Sequence, residues 1–287
     1  MSTILICGHR AYAARGLKNL LENEGHKVIE FSRGEVKGEG NVVTGPVLEM
    51  DKNPLFIEDI DVVINFILLQ DRTVEENECY IRALLEFCKA HSVKRLVQIS
   101  SISSYPNDAS LIKENTPTEK RVELKGGYGI IKAAVDNMLE MNRGAVGFDI
   151  VFVRPGYIVA VDNPHPFKGI AKFIGSKIAI LIGDKKATLP CIRRETLHKC
   201  LAEIAVQDNP LDVYLLVEGN DGTKYSYFRS LSGAIVLPLP KWLFFFVADV
   251  AKVMHIFKDR HVCMIKGAFK VNMFDNSLTK RRLKSLK

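Results

Sequence analysis

Thr3-Ile4-Leu5-Ile6-Cys7-Gly8-His9-Arg10-Ala11-Tyr12-Ala13-Ala14 opens the chain with a short apolar strand, a glycine and a turn. Leucines 17, 20 and 21 follow at helical spacing, and Gly25 ends that helix. Strand, glycine turn and helix in this order set backbone N–H groups and a positive helix end where a pyrophosphate binds. Gly8 to Ala14 aligns with GxxGxxG, with Ala11 and Ala14 at the second and third glycines. Alanine is a common variant at the third position. At the second it crowds the approach of backbone to phosphate. Alone, the pattern is also that of a tight turn in any α/β protein.

The alternation continues outward. His26–Phe31, Asp61–Phe66, Arg95–Ile99 and Asp149–Val153 are apolar, β-rich runs, and Glu75–His91 and Tyr128–Met141 are helical. Continuous apolar strands between helices predict an α/β, Rossmann-like, doubly wound parallel sheet covered on both faces. From about Arg154 the pattern loosens. Val213–Val217 suggests one more strand, and Val236-Leu237-Pro238-Leu239-Pro240 breaks the chain before an apolar helix. Residues 1–155 are expected to form the dinucleotide-binding core. Residues 156–287 are expected to form mostly a small C-terminal substrate-binding region, with some elements returning to the core.

The 287 residues are 47% hydrophobic and 25% charged, the proportions of a folded protein. The net charge is +7, but the last eight residues hold Lys280, Arg281, Arg282, Lys284 and Lys287 and no acid. The remainder lacks the broad excess of a nucleic-acid binder. Six cysteines show neither a disulfide framework nor zinc spacing, so reduced thiols in a cytoplasmic protein are expected, with Cys7, Cys79 and Cys88 in the core. His165 and His198 have no metal partner at useful spacing, and no metal is expected. Met1-Ser2-Thr3 runs straight into a strand without a signal-peptide pattern. The run Trp242–Ala248 is far short of the roughly 20 residues that span a bilayer. It is expected to pack on the body or on another subunit, which leaves a homodimer open, rather than on a membrane. The basic tail is expected to be a solvated, frayed end.

A cofactor's adenosine ribose should lie where the second strand ends. An acid there suits the 2′-hydroxyl of NAD. This chain has Ser32-Arg33, a hydroxyl and a guanidinium that suit a 2′-phosphate, and Arg10 lies within reach of the same group. NADP(H) is therefore expected over NAD(H). The bland alternative is that both arginines are solvated surface charge.

The fourth of the apolar runs, Arg95–Ile99, leads into Ser100-Ser101-Ile102-Ser103-Ser104-Tyr105, and Tyr128-Gly129-Ile130-Ile131-Lys132 follows later. Tyr128 and Lys132 at i and i+4 share one helix face. A phenol of reference pKa about 10 is a poor acid or base at neutral pH. A neighbouring ammonium and an oxidised nicotinamide both favour phenolate and bring it toward the working range. A serine at the end of a parallel strand points into the crevice where such sheets bind ligands.

Gly8 to Leu17, Asp51, Asp61 to Asn65, Val93 to Ser101, Tyr128 to Lys132 and Val153-Arg154-Pro155-Gly156 together resemble the extended short-chain dehydrogenase/reductases of the nucleotide-sugar epimerase/dehydratase/reductase group. Gly8-His9-Arg10 is similar to the opening of GDP-fucose synthase, where the arginine serves NADP. The resemblance implies a seven-stranded sheet and a catalytic set of Ser101, Tyr128 and Lys132. It implies a cofactor held by Gly8, Arg10, Ala11, Tyr12, Ala13, Ser32, Arg33, Asp51, Lys52, Asn77, Tyr128, Lys132, Pro155 and Gly156. Ser103, Gln70, Arg72, Arg193 and Arg194 are substrate-side candidates. The implied activity is NADP(H)-dependent hydride transfer to or from a nucleotide-linked keto-sugar. An NAD-retaining 4-epimerase is the first alternative, and a non-catalytic dinucleotide-sensing protein the second. A dehydratase would carry an acid beside the serine, where this chain has Ile102.

Overall fold

The computed structural model describes residues 1–163, 170–175, 178–218, 223–232, 235–238, 240–269 and 271–286. His165, Leu239 and Lys287 lie outside the described residues. The central sheet has eight strands: β1 Thr3–Cys7, β2 Lys27–Arg33, β3 Lys37–Glu39, β4 Val42–Gly45, β5 Val62–Asn65, β6 Arg95–Ile99, β7 Asp149–Pro155 and β8 Val213–Leu216. Their spatial order is β8-β7-β6-β5-β1-β2-β4-β3. Every neighbouring pair is parallel except β3 with β4. The order reverses beside β1, so a crevice opens at the carboxyl ends of β1 and β5. The fold is the expected Rossmann-like α/β sheet. Its seven parallel strands gain an eighth, antiparallel edge strand, because Gly40, at φ +58°, folds Lys37–Glu39 back onto β4.

The helices are α1 Leu17–Asn23, α2 Val74–Ala90, α3 Gly127–Asn142, α4 Arg194–Val206, α5 Lys224–Ser232, α6 Lys241–Val253, α7 Asp259–Ala268 and α8 Ser277–Arg282. Alternate strand residues divide between two faces. Leu5, Val63 and Leu96 pack with Leu84 of α2 and Leu139 of α3. Ile4, Ile6, Ile64 and Val97 pack with Leu17 and Leu21 of α1 and Leu197 and Leu201 of α4. Burial on both faces explains why these strands are apolar without alternation. Thr73 and Glu76 form a reciprocal capping box that starts α2. Cys7 and Cys88 are buried as expected, but Cys79 faces solvent on the outer side of α2.

After β7 the chain lays down 171–174 and 178–181, returns to the core as α4 and β8, and then adds 235–238 to complete a small three-stranded sheet. The Pro-containing stretch expected only to break the chain is in part a strand, Ile235–Pro238, parallel to 178–181. Its proline falls at the strand's last residue, on an edge, where a missing N–H costs no ladder bond.

The tail is not frayed. Leu283 is fully buried and Leu286 nearly so, both among the side chains of α4. The Glu203 carboxylate accepts the N–H groups of Lys284 and Ser285, both at 2.8 Å. Two leucines three residues apart share one face, and the cations project from the other. Burying a leucine contributes about 1.5–3 kcal/mol. Deleting residues 280–287 should therefore lower Tm by about 6 °C or more in calorimetry. An unchanged Tm would show that the tail contributes nothing.

Candidate active site

Gly8 begins the turn with φ +82°, and a Cβ there would meet Ile67 Cγ1 at 2.9 Å, so only glycine fits. Its N–H donates to Phe31 O at 2.7 Å. Ala11 N to Gly8 O, Ala14 N to Ala11 O and Leu17 N to Ala14 O, at 2.8, 2.9 and 3.0 Å, then wind the loop into successive tight turns. Ala11, Tyr12 and Ala13 line the crevice, whereas Ala14 turns into the core.

Two side chains one helical turn apart on α4 fasten this loop. His198 Nε2 lies 2.8 Å from Ala13 O, and Arg194 reaches Tyr12 O at 3.4 Å. The Arg194 guanidinium also stacks 5.1 Å over the Tyr12 ring and pairs with Asp162 at 3.0 Å. Burial pulls the His198 pKa down. The ring is therefore neutral near pH 7, with its proton on the Nε2 that faces the carbonyl. Sequence reading left His198 as a lone histidine, because its partner lies 185 residues away.

Strand β6 ends at Ile99. Ser100 turns inward and Ser101 outward into a cavity of about 640 Å3 that it shares with Ser103, Tyr128, Lys132, Pro155 and Gly156. Ser101 Oγ accepts the N–H of Ser103 at 3.1 Å and shares the cavity wall with the Tyr128 phenol. Tyr128 is 44% exposed overall, but its hydroxyl end is sunk in the crevice. Burial pushes the phenol up to about 12, with Ser101 pulling the other way. Lys132 is buried. Its Nζ donates to Ile99 O at 2.5 Å and sits 6.0 Å from the centroid of the Tyr128 ring. Burial pulls this ammonium down to about 8, against the opposing carboxylate of Asp136. The expected lowering of the phenol by the lysine is thus outweighed within the protein. The Ile99 carbonyl engages Nζ, and desolvation of the phenol is the larger effect.

Behind this set lies a buried polar network that sequence reading missed. The Ser100 hydroxyl donates to Asp136 Oδ2 at 2.6 Å, and Arg154 Nη2 and Nε reach the same oxygen at 3.3 Å. Arg154 lies 4.8 Å over the Tyr105 ring. Burial raises the Asp136 pKa, with Arg154 opposing. Asp136 stands one turn beyond Lys132, a spacing visible in the sequence, but nothing local tells that it is buried.

The remaining candidates separate. Gln70 and Ser103 line the cavity. The Ser103 hydroxyl has no partner among the described residues. Arg72 is instead paired with Glu76 on the helix surface, and Arg193 with Glu218. Arg194 is spent on Tyr12 and Asp162. None of these three arginines faces the cavity. Asn77 is also not free for a cofactor. It is buried, accepts Leu69 N at 2.9 Å, and donates to Leu69 O and Thr73 O at 3.0 and 2.8 Å. It pins the loop that presents Leu68 and Gln70. At the end of β2 the Ser32 hydroxyl is buried without a partner among the described residues, whereas Arg33 is exposed and paired with Asp71 at 3.2 Å. Arg10 is exposed, and Asp51 and Lys52 close a short 3-10 turn, 47–52, after β4. Gly156 admits no side chain because a Cβ would overlap the Pro190 carbonyl. Its glycine answers to packing.

Among curated proteins none matches the chain by sequence. Solved structures match its fold. A short-chain dehydrogenase/reductase superfamily protein from Agrobacterium tumefaciens with bound NAD is 14% identical, with a TM-score of 0.70 over 98% of this chain and 91% of that one. A UDP-N-acetylglucosamine 4-epimerase from Bacillus cereus is 14% identical, with a TM-score of 0.61 over 83% and 85%. A dTDP-glucose 4,6-dehydratase from Bacillus anthracis in complex with NAD is 17% identical, with a TM-score of 0.65 over 83% and 84%. The family model described as NAD dependent epimerase/dehydratase family matches residues 4–182, more than half of the chain. The chain belongs to the NAD-dependent epimerase/dehydratase family and shares the fold of a short-chain dehydrogenase/reductase superfamily protein.

Proposed function

We propose that the protein is an NADP(H)-dependent oxidoreductase that reduces a keto group of a nucleotide-linked sugar, or runs the reverse reaction, in the cytoplasm. The observation that carries this reading is the composition of the crevice. Ser101, Tyr128 and Lys132 converge there, and no carboxylate lines it among the described residues. A dehydratase needs an acid or base beyond the phenol, so hydride transfer with proton transfer at one oxygen is the chemistry these groups fit best.

The residues fit a nicotinamide dinucleotide. Gly8 allows the close turn, the loop 11–13 and Lys132 share one cavity, and the orphaned Ser32 hydroxyl marks the end of β2 as a place for a polar ligand. When bound, the nicotinamide supplies or accepts the hydride. Residues 1–155 would hold the cofactor, with Lys132 toward its ribose, while Gln70, Ser103 and the region from 156 onward would receive the sugar nucleotide. Ser101 holds the substrate oxygen. The Tyr128 phenol is protonated at neutral pH and is placed to donate its proton to that oxygen in the reductive direction, or to take it back in the reverse one. Arg33, with Arg10, would take the 2′-phosphate. The NAD-retaining 4-epimerase is favoured by one observation: Asp71 already holds Arg33 and puts an acid beside the end of β2.

Tyr128→Phe should cut kcat on the responding keto-sugar nucleotide by about 10²–10⁴ while leaving the Kd for NADPH nearly unchanged. Full activity in that variant would rule out the proton-transfer role. Calorimetric titration tests the cofactor. NADP⁺ should bind tighter than NAD⁺, and Arg33→Ala should remove roughly tenfold of that preference. The charge-assisted bond is worth about 1.5–3 kcal/mol, and opening the exposed Asp71 pair costs about 0–1 kcal/mol. Equal affinities in the wild type would give the epimerase reading precedence.

A further inference from the structure

Helix α6 turns most of its apolar surface away from the protein. Ala248 and Ala251 are buried, and Phe244 and Phe245 rest on Phe269 with ring centroids 5.4 and 5.8 Å apart. On the other side Trp242, Phe246 and Val253 are 71, 64 and 79% exposed, and Leu243, Val247, Val250 and Met254 are exposed with them. At 3.6 residues per turn these seven side chains cover an arc of about 140°. The expectation that this helix packs on the body holds only for its narrow inner face.

Charge is segregated onto the same stretch. Residues 1–223 carry 27 Lys and Arg against 30 Asp and Glu, whereas residues 224–272 carry eight against two. Lys241, Lys252 and Lys258 are exposed along or just beyond the helix. Its one acid, Asp249, is paired with Lys266 at 3.2 Å. No helix among the described residues is long and apolar enough to cross a membrane.

We propose that α6 is an interfacial helix that seats the protein on an anionic lipid surface, with Trp242, Phe246 and Val253 entering the boundary between headgroups and acyl chains. A broad apolar face with an aromatic pair and flanking lysines is the pattern of helices that lie in that plane. Tryptophan prefers this depth because one end of its ring is apolar and the other donates a hydrogen bond. Anionic headgroups complement the cationic stretch. A second copy of this chain fits the face poorly, since pairing would bring two strongly cationic stretches together. Helix α7, which packs on α6, also lends Gly267 and Ala268 to a cavity beside Ser103. Docking and the substrate end of the crevice are thereby joined through one helix.

Trp242 is the chain's sole tryptophan, so its emission reports directly on this face. The full chain is mixed with phosphatidylcholine vesicles with and without phosphatidylglycerol. The protein should float with the anionic vesicles, release in high salt, and shift its emission to the blue, with quenching by brominated acyl chains. Phe246→Glu with Val253→Glu should weaken partitioning at least about tenfold. Lys241→Gln and Lys258→Gln should each weaken it about fivefold. NADPH binding should stay at the wild-type level in all of them. Should a variant fail to fold, the wild-type emission decides alone. Unshifted emission and no flotation with anionic vesicles would overturn the proposal. So would a dimer in ultracentrifugation that the Phe246→Glu pair dissociates while vesicles capture nothing.

Discussion

The ion pair between Asp136 and Arg154 is the constraint on which the active-site geometry rests. Both side chains are out of water, at 1% and 5% exposure, so neither charge has solvent to fall back on. Removing one partner of such a pair costs about 3–5 kcal/mol, because the other is left buried and unpaired. The pair ties α3 to β7, and the Ser100 hydroxyl on the same carboxylate oxygen ties both to the end of β6. Lys132 and Tyr128 stand one and two turns earlier on α3. Their approach to Ser101 is therefore set by a polar contact one turn further along the same helix face, while Ile99 O holds the lysine ammonium.

The dinucleotide loop depends on distant parts of the chain in the same way. A first helix of only seven residues gives the loop little support of its own. Arg194 and His198 take over that task from α4. That helix is in turn clamped by the tail through Glu203, Leu283 and Leu286. The last residues of the chain thus support the first turn, and the two ends of the sequence form one mechanical unit.

Away from the sheet the balance of forces changes. The core strands bury their apolar side chains on both faces, whereas α6 buries a narrow strip and leaves its broad face open. An apolar arc this wide beside a strongly cationic stretch is costly in plain solvent, and monomeric proteins seldom keep such patches without a partner.

Much of this was legible from the residues alone. The strands Thr3–Cys7 and Arg95–Ile99, the helices at 74–90 and 127–142, and the parallel sheet follow from apolar runs and helical spacing, which are properties of neighbouring residues. Gly8 and the Tyr128–Lys132 pair are legible for the same reason: a tight turn and an i,i+4 face need no distant partner. What only the tertiary structure decided are the pairings across the fold. Asn77 looked like a ligand and pins Leu69 and Thr73. Arg72, Arg193 and Arg194 looked like substrate contacts, yet each has a carboxylate partner, two of them more than 20 residues away. His198 looked idle and fastens Ala13. Asp136 gave no sign of its burial, and the cationic tail gave no sign that its two leucines fill a pocket beside α4. Periodicity reports which way a side chain points from its own element. What it meets there depends on strand order and helix docking, which depend on the whole chain at once.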